Sequence, residues 1–276
     1  MRILSTLLLI AAGGVVAYTT SSEDFRFVIL GDRTGGAVPG VYEKAWHETD
    51  RDRPDFVVSV GDTIEGGNDL TLDAEWQQIV HMLAPYRRYR LFLTPGNHDV
   101  WSAASAQAFE KYSKRPLHYS FDYRQAHFTV LDNSRSDSMP AEELAYLQKD
   151  LQIHQKQSVK FIFSHRPSWI LQAVLGNPDF PLHRLAKRYG VKYVIAGHVH
   201  EMLHFEVDGL TYLSIASSGG HLRGTKRYED GWFFQHTLVT VRGNSVKFAI
   251  KELDPPFGRS RLTQPGDWGP AGLLKR

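Results

Sequence analysis

Short apolar segments alternate with longer segments of helical periodicity through most of the chain. Six apolar runs have the length and composition of buried strands, and they lie at 25–30, 55–60, 89–94, 127–132, 159–164 and 191–196. Five segments between them carry helical signals, at 40–51, 71–84, 102–113, 140–155 and 180–189. This alternation of strands and helices predicts a fold of the α/β class.

The last part of the pattern changes to β-structure. Alternating apolar and polar residues predict one hairpin over 203–217, with its turn at Asp208-Gly209. They predict a second hairpin over 232–250, with its turn at Gly243-Asn244. Alternating elements followed by hairpins predict a layered αββα sandwich, in which two mixed β-sheets are flanked by helices.

The two ends of the chain differ from this domain, which we expect to span 25–253. Residues 1–17 combine one arginine, an apolar stretch and small residues before Ala17, the layout of a signal peptide. The stretch is shorter than the roughly 20 apolar residues of a membrane-spanning helix. We therefore expect an exported protein, periplasmic or extracellular; the alternative is an uncleaved N-terminal anchor, the one case in which we expect membrane contact. Residues 254–276 are rich in proline and glycine and predict an irregular C-terminal tail.

Composition narrows the class of protein. The 276 residues are 42% hydrophobic and 12% aromatic, which suits a globular protein with a large core. The net charge is only +2 and no run of like charge occurs, so we expect no nucleic-acid-binding surface. The absence of cysteine excludes disulfides and lipid attachment through a cysteine. The sequence does not predict an oligomeric state.

Two histidines follow the last of the six apolar runs. His198 and His200 are separated by one residue, and alternate residues of an extended segment point to the same side. Gly197 lets the backbone and a ligand come close. This spacing indicates a metal site, whereas the alternative interpretation is a surface loop with two unrelated histidines.

Polar side chains also follow four other predicted strands. These segments are Gly31-Asp32-Arg33-Thr34, Gly61-Asp62, Asn97-His98-Asp99 and His165-Arg166. Each one alone is an ordinary turn or helix cap. Ligands of α/β sheets bind at the carboxyl ends of strands, however, and five such ends together point to one site.

The residue types limit what this site could bind. Carboxylates, imidazoles and an amide without any thiolate fit divalent Mn, Fe, Zn or Ni. Two such ions roughly 3.5–4 Å apart that share a carboxylate can polarise a phosphoryl group and hold a hydroxide for in-line attack.

The order of the motifs, D…GD…GNHD…H…GHxH, resembles that of the calcineurin-like metallophosphoesterase superfamily. The resemblance extends over residues 25 to about 220 and includes YSFDY at 119–123 and HFTVLDN at 127–133. It implies two divalent metal ions bridged by Asp62. Asn97, His165 and His198 would complete the ligands of one ion. Asp32 and His200 would complete those of the other. His98 would contact the phosphate and help to protonate the leaving oxygen, with Asp99 as the candidate to orient it.

The sequence departs from the superfamily pattern at its first block. Thr34 stands where the usual Asp-x-His has histidine, so one ion loses a strong ligand, and either water or the Thr34 hydroxyl would fill the gap. Glu65 stands where some members have aspartate, and we expect it to lie outside the ligand set. Arg33 and Arg166 either contact the substrate phosphate or pair with carboxylates at the rim.

These observations predict an exported, metal-dependent phosphoric ester hydrolase. It would act on phosphate monoesters or diesters, as a phosphatase or a phosphodiesterase, by attack of a metal-held hydroxide. The alternative is a metal-stabilised binding or scaffold protein with weak or no catalysis, because Thr34 replaces a ligand. The presence of His98, which is needed for chemistry and not for holding metal, favours the enzyme.

Overall fold

The computed structural model of the protein describes residues 24–225, 230–253 and 260–263, the last of these by its backbone. In chain order, the elements are β1 (Phe25–Leu30), α1 (Val41–Asp52), β2 (Phe56–Ser59), α2 (Leu72–Met82), a 3₁₀ turn (Ala84–Tyr86), β3 (Arg90–Leu93), α3 (Ala103–Ser113), β4 (Tyr119–Tyr123), β5 (Ala126–Val130), α4 (Ala141–Ile153), β6 (Val159–Phe163), α5 (Ile170–Val174), α6 (Pro181–Arg188), β7 (Tyr193–Ala196), β8 (Leu203–Val207), β9 (Leu210–Ser214), β10 (Phe234–Arg242), β11 (Ser245–Leu253) and β12 (Ser260–Thr263).

The strands form two six-stranded sheets of mixed direction. The first has the order β12-β11-β10-β1-β2-β3, with β1, β2 and β3 parallel and the others antiparallel. The second has the order β4-β5-β6-β7-β9-β8, with parallel strands at its centre and antiparallel strands at both edges. The predicted αββα sandwich with two mixed sheets is confirmed.

Both faces of each sheet are buried, and the alternation along β1 shows how. Phe27 and Ile29 lie in the core between the sheets, whereas Val28 and Leu30 pack against α1 on the outer face. On the other side, Ile162 of β6 packs in the cluster that also contains residues of α4 and α6. Strands buried on both faces are continuously apolar, which explains why these runs stand out in the sequence.

Aromatic rings fill the space between the two sheets. Phe128 of β5 lies 4.9 Å from Phe161, 5.3 Å from Phe27 and 5.4 Å from Phe56, measured between ring centroids. All four side chains are at most 1% exposed. These contacts join the first sheet to the second and hold their strand ends in a fixed relation.

The structure corrects the sequence prediction in three places. A strand, β4, occupies the YSFDY segment, and the five-residue helix α5 is too short to show helical periodicity. The segment expected to be an irregular tail contains β12, which pairs with β11. The remainder of that tail and the predicted signal peptide lie outside the described residues. None of the helices in the described parts of the chain is long and apolar enough to cross a bilayer.

A buried histidine joins β4, β5 and α4. His127 is fully buried, with Nδ1 2.7 Å from Oδ1 of Asp122 and Nε2 2.9 Å from Oδ2 of Asp150. Burial lowers the pKa of His127, but hydrogen bonds to these two carboxylates outweigh it and raise the pKa above its usual value. His154 stacks on His127 with 3.9 Å between ring centroids and 17° between planes. Parallel rings at this distance cannot both point in-plane at one ion, so we interpret the cluster as an ion-pair network.

This network predicts a pH-dependent stability. Because the pKa of His127 is raised on folding, its ionisation adds to the free energy of unfolding. This stabilisation is fully present below the unfolded pKa of about 6.5 and is lost as the pH rises through the folded pKa. With a chelator present, we expect His127→Gln to destabilise the protein more at pH 6 than at pH 9 in urea unfolding. The exposed His81→Gln is the control, and a cost of His127→Gln that does not change with pH contradicts the prediction.

Candidate metal centre

Five loops meet at the edge where the carboxyl ends of the parallel strands lie. Asp32, Asp62 and Asn97 follow β1, β2 and β3 of the first sheet. His165 follows β6, and His198 follows β7, both of the second sheet. The site is therefore shared between the two sheets.

The predicted ligands are close enough to hold two ions. Ligand atoms of Asp62, His165 and His198 lie within 4.8 Å of one another, and so do those of Asp32, Asp62 and His200. Asp62 belongs to both groups, which is the arrangement of a bridging carboxylate.

Asn97 adds an amide oxygen to the first of these groups. Its Oδ1 lies 3.0 Å from Nε2 of His165, and Nδ1 of His198 lies 3.2 Å from the same nitrogen. An amide and two imidazoles thus converge beside Asp62.

The backbone is strained at three of the predicted ligands. Asp62, His198 and His200 have φ of 55°, 70° and 61°, the left-handed region that side chains other than glycine rarely adopt. Such conformations cost on the order of 1–3 kcal/mol each and are concentrated at functional sites. In this arrangement a ligand atom of His198 and one of His200 each lie within 4.8 Å of a carboxylate oxygen of Asp62.

Backbone carbonyls fix the orientation of two of the imidazoles. Nδ1 of His165 donates a hydrogen bond to the carbonyl of Val60 at 2.9 Å, and Nδ1 of His200 donates to that of His221 at 2.7 Å. Because a carbonyl can only accept, the proton of each ring is held on Nδ1. Nε2 of each ring therefore faces the centre, as in metal-binding histidines.

Two ligand atoms at the centre are buried. Oδ2 of Asp62 is inaccessible and lies 3.3 Å from Nε2 of His165. Nε2 of His200 is inaccessible and makes no hydrogen bond. Burial lowers the pKa of His198 to about 3 and that of His200 to about 4, so both are neutral at pH 7. A buried carboxylate oxygen and a neutral imidazole nitrogen suit a divalent cation, so the residues fit the group that the sequence implies.

The two carboxylates make the centre attractive to positive charge. Burial raises the pKa of Asp32 to about 7. For Asp62, burial acts in the same direction, but the neighbouring His165 outweighs it and holds the pKa below the usual range. Burial lowers the pKa of His165, but Asp62 and Asp32 raise it to about 9.

Asn133, which lies on the loop after β5, holds the backbone of the loop that carries His165. Its Oδ1 accepts hydrogen bonds from the backbone N–H groups of His165 and Arg166 at 3.1 and 3.0 Å, and its Nδ2 donates to the Arg166 carbonyl at 2.7 Å. No role could be assigned to Asn133 from the sequence, in which its only signal is its place in the HFTVLDN segment.

We expect Asn133→Ala to weaken metal binding. The substitution leaves two buried N–H groups without their acceptor and frees the loop that carries His165, and losing such a supporting contact typically weakens metal affinity about 10- to 100-fold. Titration of the chelator-treated protein with Mn²⁺ by calorimetry measures the effect. Asn244→Ala, in the exposed turn between β10 and β11, is the control, and equal affinities in the two variants contradict the prediction.

His98 is held by a different partner from the one expected. Its backbone N–H donates to Oδ1 of Asp62 at 2.9 Å, and its ring Nδ1 contacts the carbonyl of Glu65. The expectation that Asp99 orients this ring is wrong, because the Asp99 carboxylate is fully buried and turned to the backbone. It accepts hydrogen bonds from three backbone amides, those of Thr63, Ile64 and Gly96. Asp99 therefore shapes the two loops that carry Asp62 and His98.

The remaining candidates differ in their surroundings. Thr34 is buried. Burial raises the pKa of Glu65, but contacts that include the Thr34 hydroxyl outweigh it and hold that pKa below its usual value. Arg33 donates through Nη1 to the Thr63 carbonyl at 3.1 Å. Arg166 pairs with a carboxylate at the rim, which is one of the two alternatives raised from the sequence, because Nη1 lies 2.6 Å from Oδ1 of Asp137. The same Nη1 lies 3.2 Å from Nε2 of His198.

The sequence of the chain is similar to those of two curated proteins. The chain is 27% identical over 174 residues to the 3′,5′-cyclic adenosine monophosphate phosphodiesterase CpdA of Escherichia coli strain K12. The protein of the same name from Escherichia coli O157:H7 matches equally. The match covers 59% of this chain and 61% of the relative, so the chain spans less than two thirds of the curated relatives it matches.

Solved structures share the fold. The purple acid phosphatase PPD1 of yellow lupin superposes with a TM-score of 0.65 at 17% identity, covering 87% of this chain and 53% of that one. GAP50, the anchor in the inner membrane complex of Plasmodium, superposes with a TM-score of 0.58 at 15% identity, covering 87% and 90%. At these identities the likeness shows the fold alone.

The family match covers the loops that build the centre. The profile of the calcineurin-like phosphoesterase family matches residues 25–202, from β1 to the loop after β7. This segment contains all six predicted metal ligands and His98. The chain therefore belongs to the calcineurin-like phosphoesterase family.

Proposed function

We propose that the protein is a metal-dependent phosphoric ester hydrolase that works at a dinuclear centre. The observation that carries the proposal is the sharing of Asp62 between two groups of ligand atoms, each spanning no more than 4.8 Å. Asn97, His165 and His198 would complete one position, and Asp32 with His200 the other. The family membership and the phosphodiesterase named among the relatives support hydrolysis of phosphate esters.

The chain's own residues supply positions and protons around the ions. When bound, the ions would supply Lewis-acid polarisation of the phosphoryl group and activation of the attacking water. His98 is held at Nδ1 by the Glu65 carbonyl, which leaves Nε2 as the ring nitrogen that can protonate the leaving oxygen. Either water or the buried Thr34 hydroxyl would stand beside the second ion in place of the usual histidine.

The proposal is tested by hydrolysis of two model esters. The purified protein is assayed with p-nitrophenyl phosphate and bis(p-nitrophenyl) phosphate, with added Mn²⁺ and with a chelator. We expect turnover that the chelator abolishes and that added Mn²⁺ restores. If metal is bound and neither ester is hydrolysed, the result supports the metal-stabilised binding protein instead.

Export belongs to the same proposal and is supported by the sequence of residues 1–17. N-terminal sequencing of the protein recovered from expressing cells tests it. We expect cleavage close to Ala17 and recovery outside the cytoplasm. Recovery of an intact N-terminus in the membrane fraction supports the uncleaved anchor.

A further inference from the structure

Two arginines lie on opposite sides of the His198-Val199-His200 segment. Arg166 approaches His198, with 3.2 Å between Nη1 and Nε2. Arg223 follows the glycine-rich turn after β9 and approaches His200. Its Nη2 lies 3.0 Å from the position that a Cβ on Gly35 would occupy, and Nε2 of His200 lies 3.3 Å from that same position. The guanidinium of Arg223 is therefore a near neighbour of a predicted metal ligand.

Gly35 makes this approach possible. Its φ of 84° is unfavourable for any other residue, and an added Cβ would also lie 3.1 Å from the His200 ring. A side chain at this position would separate the guanidinium from the imidazole.

The two arginines differ in their charge partners. Arg166 is paired with the carboxylate of Asp137. Nε of Arg223 is buried without a hydrogen-bond partner, and among the described residues no carboxylate is paired with its guanidinium. A buried donor without a partner costs free energy, and an anionic ligand that accepts its hydrogen bond would remove that cost.

We propose that Arg223 binds the phosphoryl group of the substrate and selects esters with a terminal phosphate over diesters. This inference rests on the proposed function. A guanidinium can donate two parallel hydrogen bonds to phosphoryl oxygens, which matches a group that lacks partners of its own. Because no carboxylate among the described residues pairs with Arg223, its positive charge stabilises a terminal phosphate, with a charge of about −1.5 to −2, more than a diester with a single negative charge.

The first test measures binding and needs no turnover. Inorganic phosphate and dimethyl phosphate are titrated into the Mn²⁺-loaded protein by calorimetry. We expect Arg223→Met to weaken binding of inorganic phosphate about 10- to 100-fold, which is the range for loss of a charge-assisted contact. Binding of dimethyl phosphate is expected to weaken less than about 3-fold. Arg223→Lys keeps the positive charge but loses the paired N–H donors of the guanidinium. Its affinity for inorganic phosphate is expected to lie between those of the wild type and Arg223→Met.

A matched control separates this contact from a change in net charge. Arg26 is an exposed arginine near the amino end of β1, opposite the strand ends that carry the centre. Arg26→Met is expected to bind both anions like the wild type, and melting temperature and Mn²⁺ content are measured for every variant. Equal weakening of both anions in Arg223→Met overturns the selection of terminal phosphates, and unchanged binding of both overturns the contact itself.

The second test uses kcat/KM on the two model esters. We expect Arg223→Met to lower kcat/KM for p-nitrophenyl phosphate at least about 10-fold more than for the diester. A wild-type protein that hydrolyses neither ester, yet binds phosphate in an Arg223-dependent way, contradicts the proposed function and leaves the phosphate contact supported. A wild-type enzyme whose two rates fall equally in Arg223→Met contradicts the selectivity and leaves the proposed function supported.

Discussion

Replacing Asp62 by asparagine is expected to abolish turnover while the fold persists. Asn keeps the shape of the side chain and tolerates the φ of 55° at this position, so the loop after β2 can form as before. The change removes the negative charge that both groups of ligand atoms share. Because metal ions supply several kcal/mol of transition-state stabilisation, we expect a loss of about 10³-fold or more in kcat/KM.

Metal content is measured alongside the rate in this experiment. We expect fewer than two Mn²⁺ ions to remain bound in Asp62→Asn at a concentration that saturates the wild type. The exposed Asp179, which pairs with Arg184, provides the matched control Asp179→Asn. Wild-type turnover with full metal content in Asp62→Asn would show that the carboxylate does not bridge.

Truncation of Phe128 to alanine is expected to have the largest effect on stability. Its ring packs between Phe161 and Phe121 and against the edges of Phe27 and Phe56, so its loss leaves a cavity between the sheets. Removal of a buried phenylalanine side chain typically lowers the free energy of unfolding by about 3–5 kcal/mol. Urea unfolding in the presence of a chelator measures this cost without a contribution from bound metal.

The control for this substitution is Leu175→Ala. Leu175 is 68% exposed, and truncation of an exposed side chain is expected to change the free energy of unfolding by no more than about 0.5 kcal/mol. A cost below about 1 kcal/mol for Phe128→Ala would show that the core rearranges to fill the cavity.

The fold and most of the ligand set could be predicted because both follow from local patterns. Strands buried on two faces leave continuous apolar runs, and the polar residues after them mark the strand ends that a parallel sheet brings together. His165 and His198 could be found in this way although they lie in different loops. The element α5 could not, because five residues carry too little periodicity.

The supporting contacts could not be predicted because they join loops that are distant in the sequence. Asp99 binds the amide of Thr63, 36 positions away, and nothing in the motif Gly-Asn-His-Asp specifies that partner. Asn133 binds an amide 32 positions away, and Arg223 approaches the centre from beyond the last recognised motif. Such roles depend on tertiary packing and require the structure.

The origin of the ligands from both sheets has a mechanical consequence. Asp32, Asp62 and Asn97 belong to one sheet and the three histidines to the other, so the centre spans the seam of the sandwich. A small relative slide of the two sheets would separate the two halves of the ligand set while each sheet kept its own hydrogen bonds. During gradual unfolding, bound metal should therefore be lost when the packing between the sheets loosens. Circular dichroism should detect the loss of strands only later. Metal content would then be a sensitive measure of how firmly the two sheets are packed together.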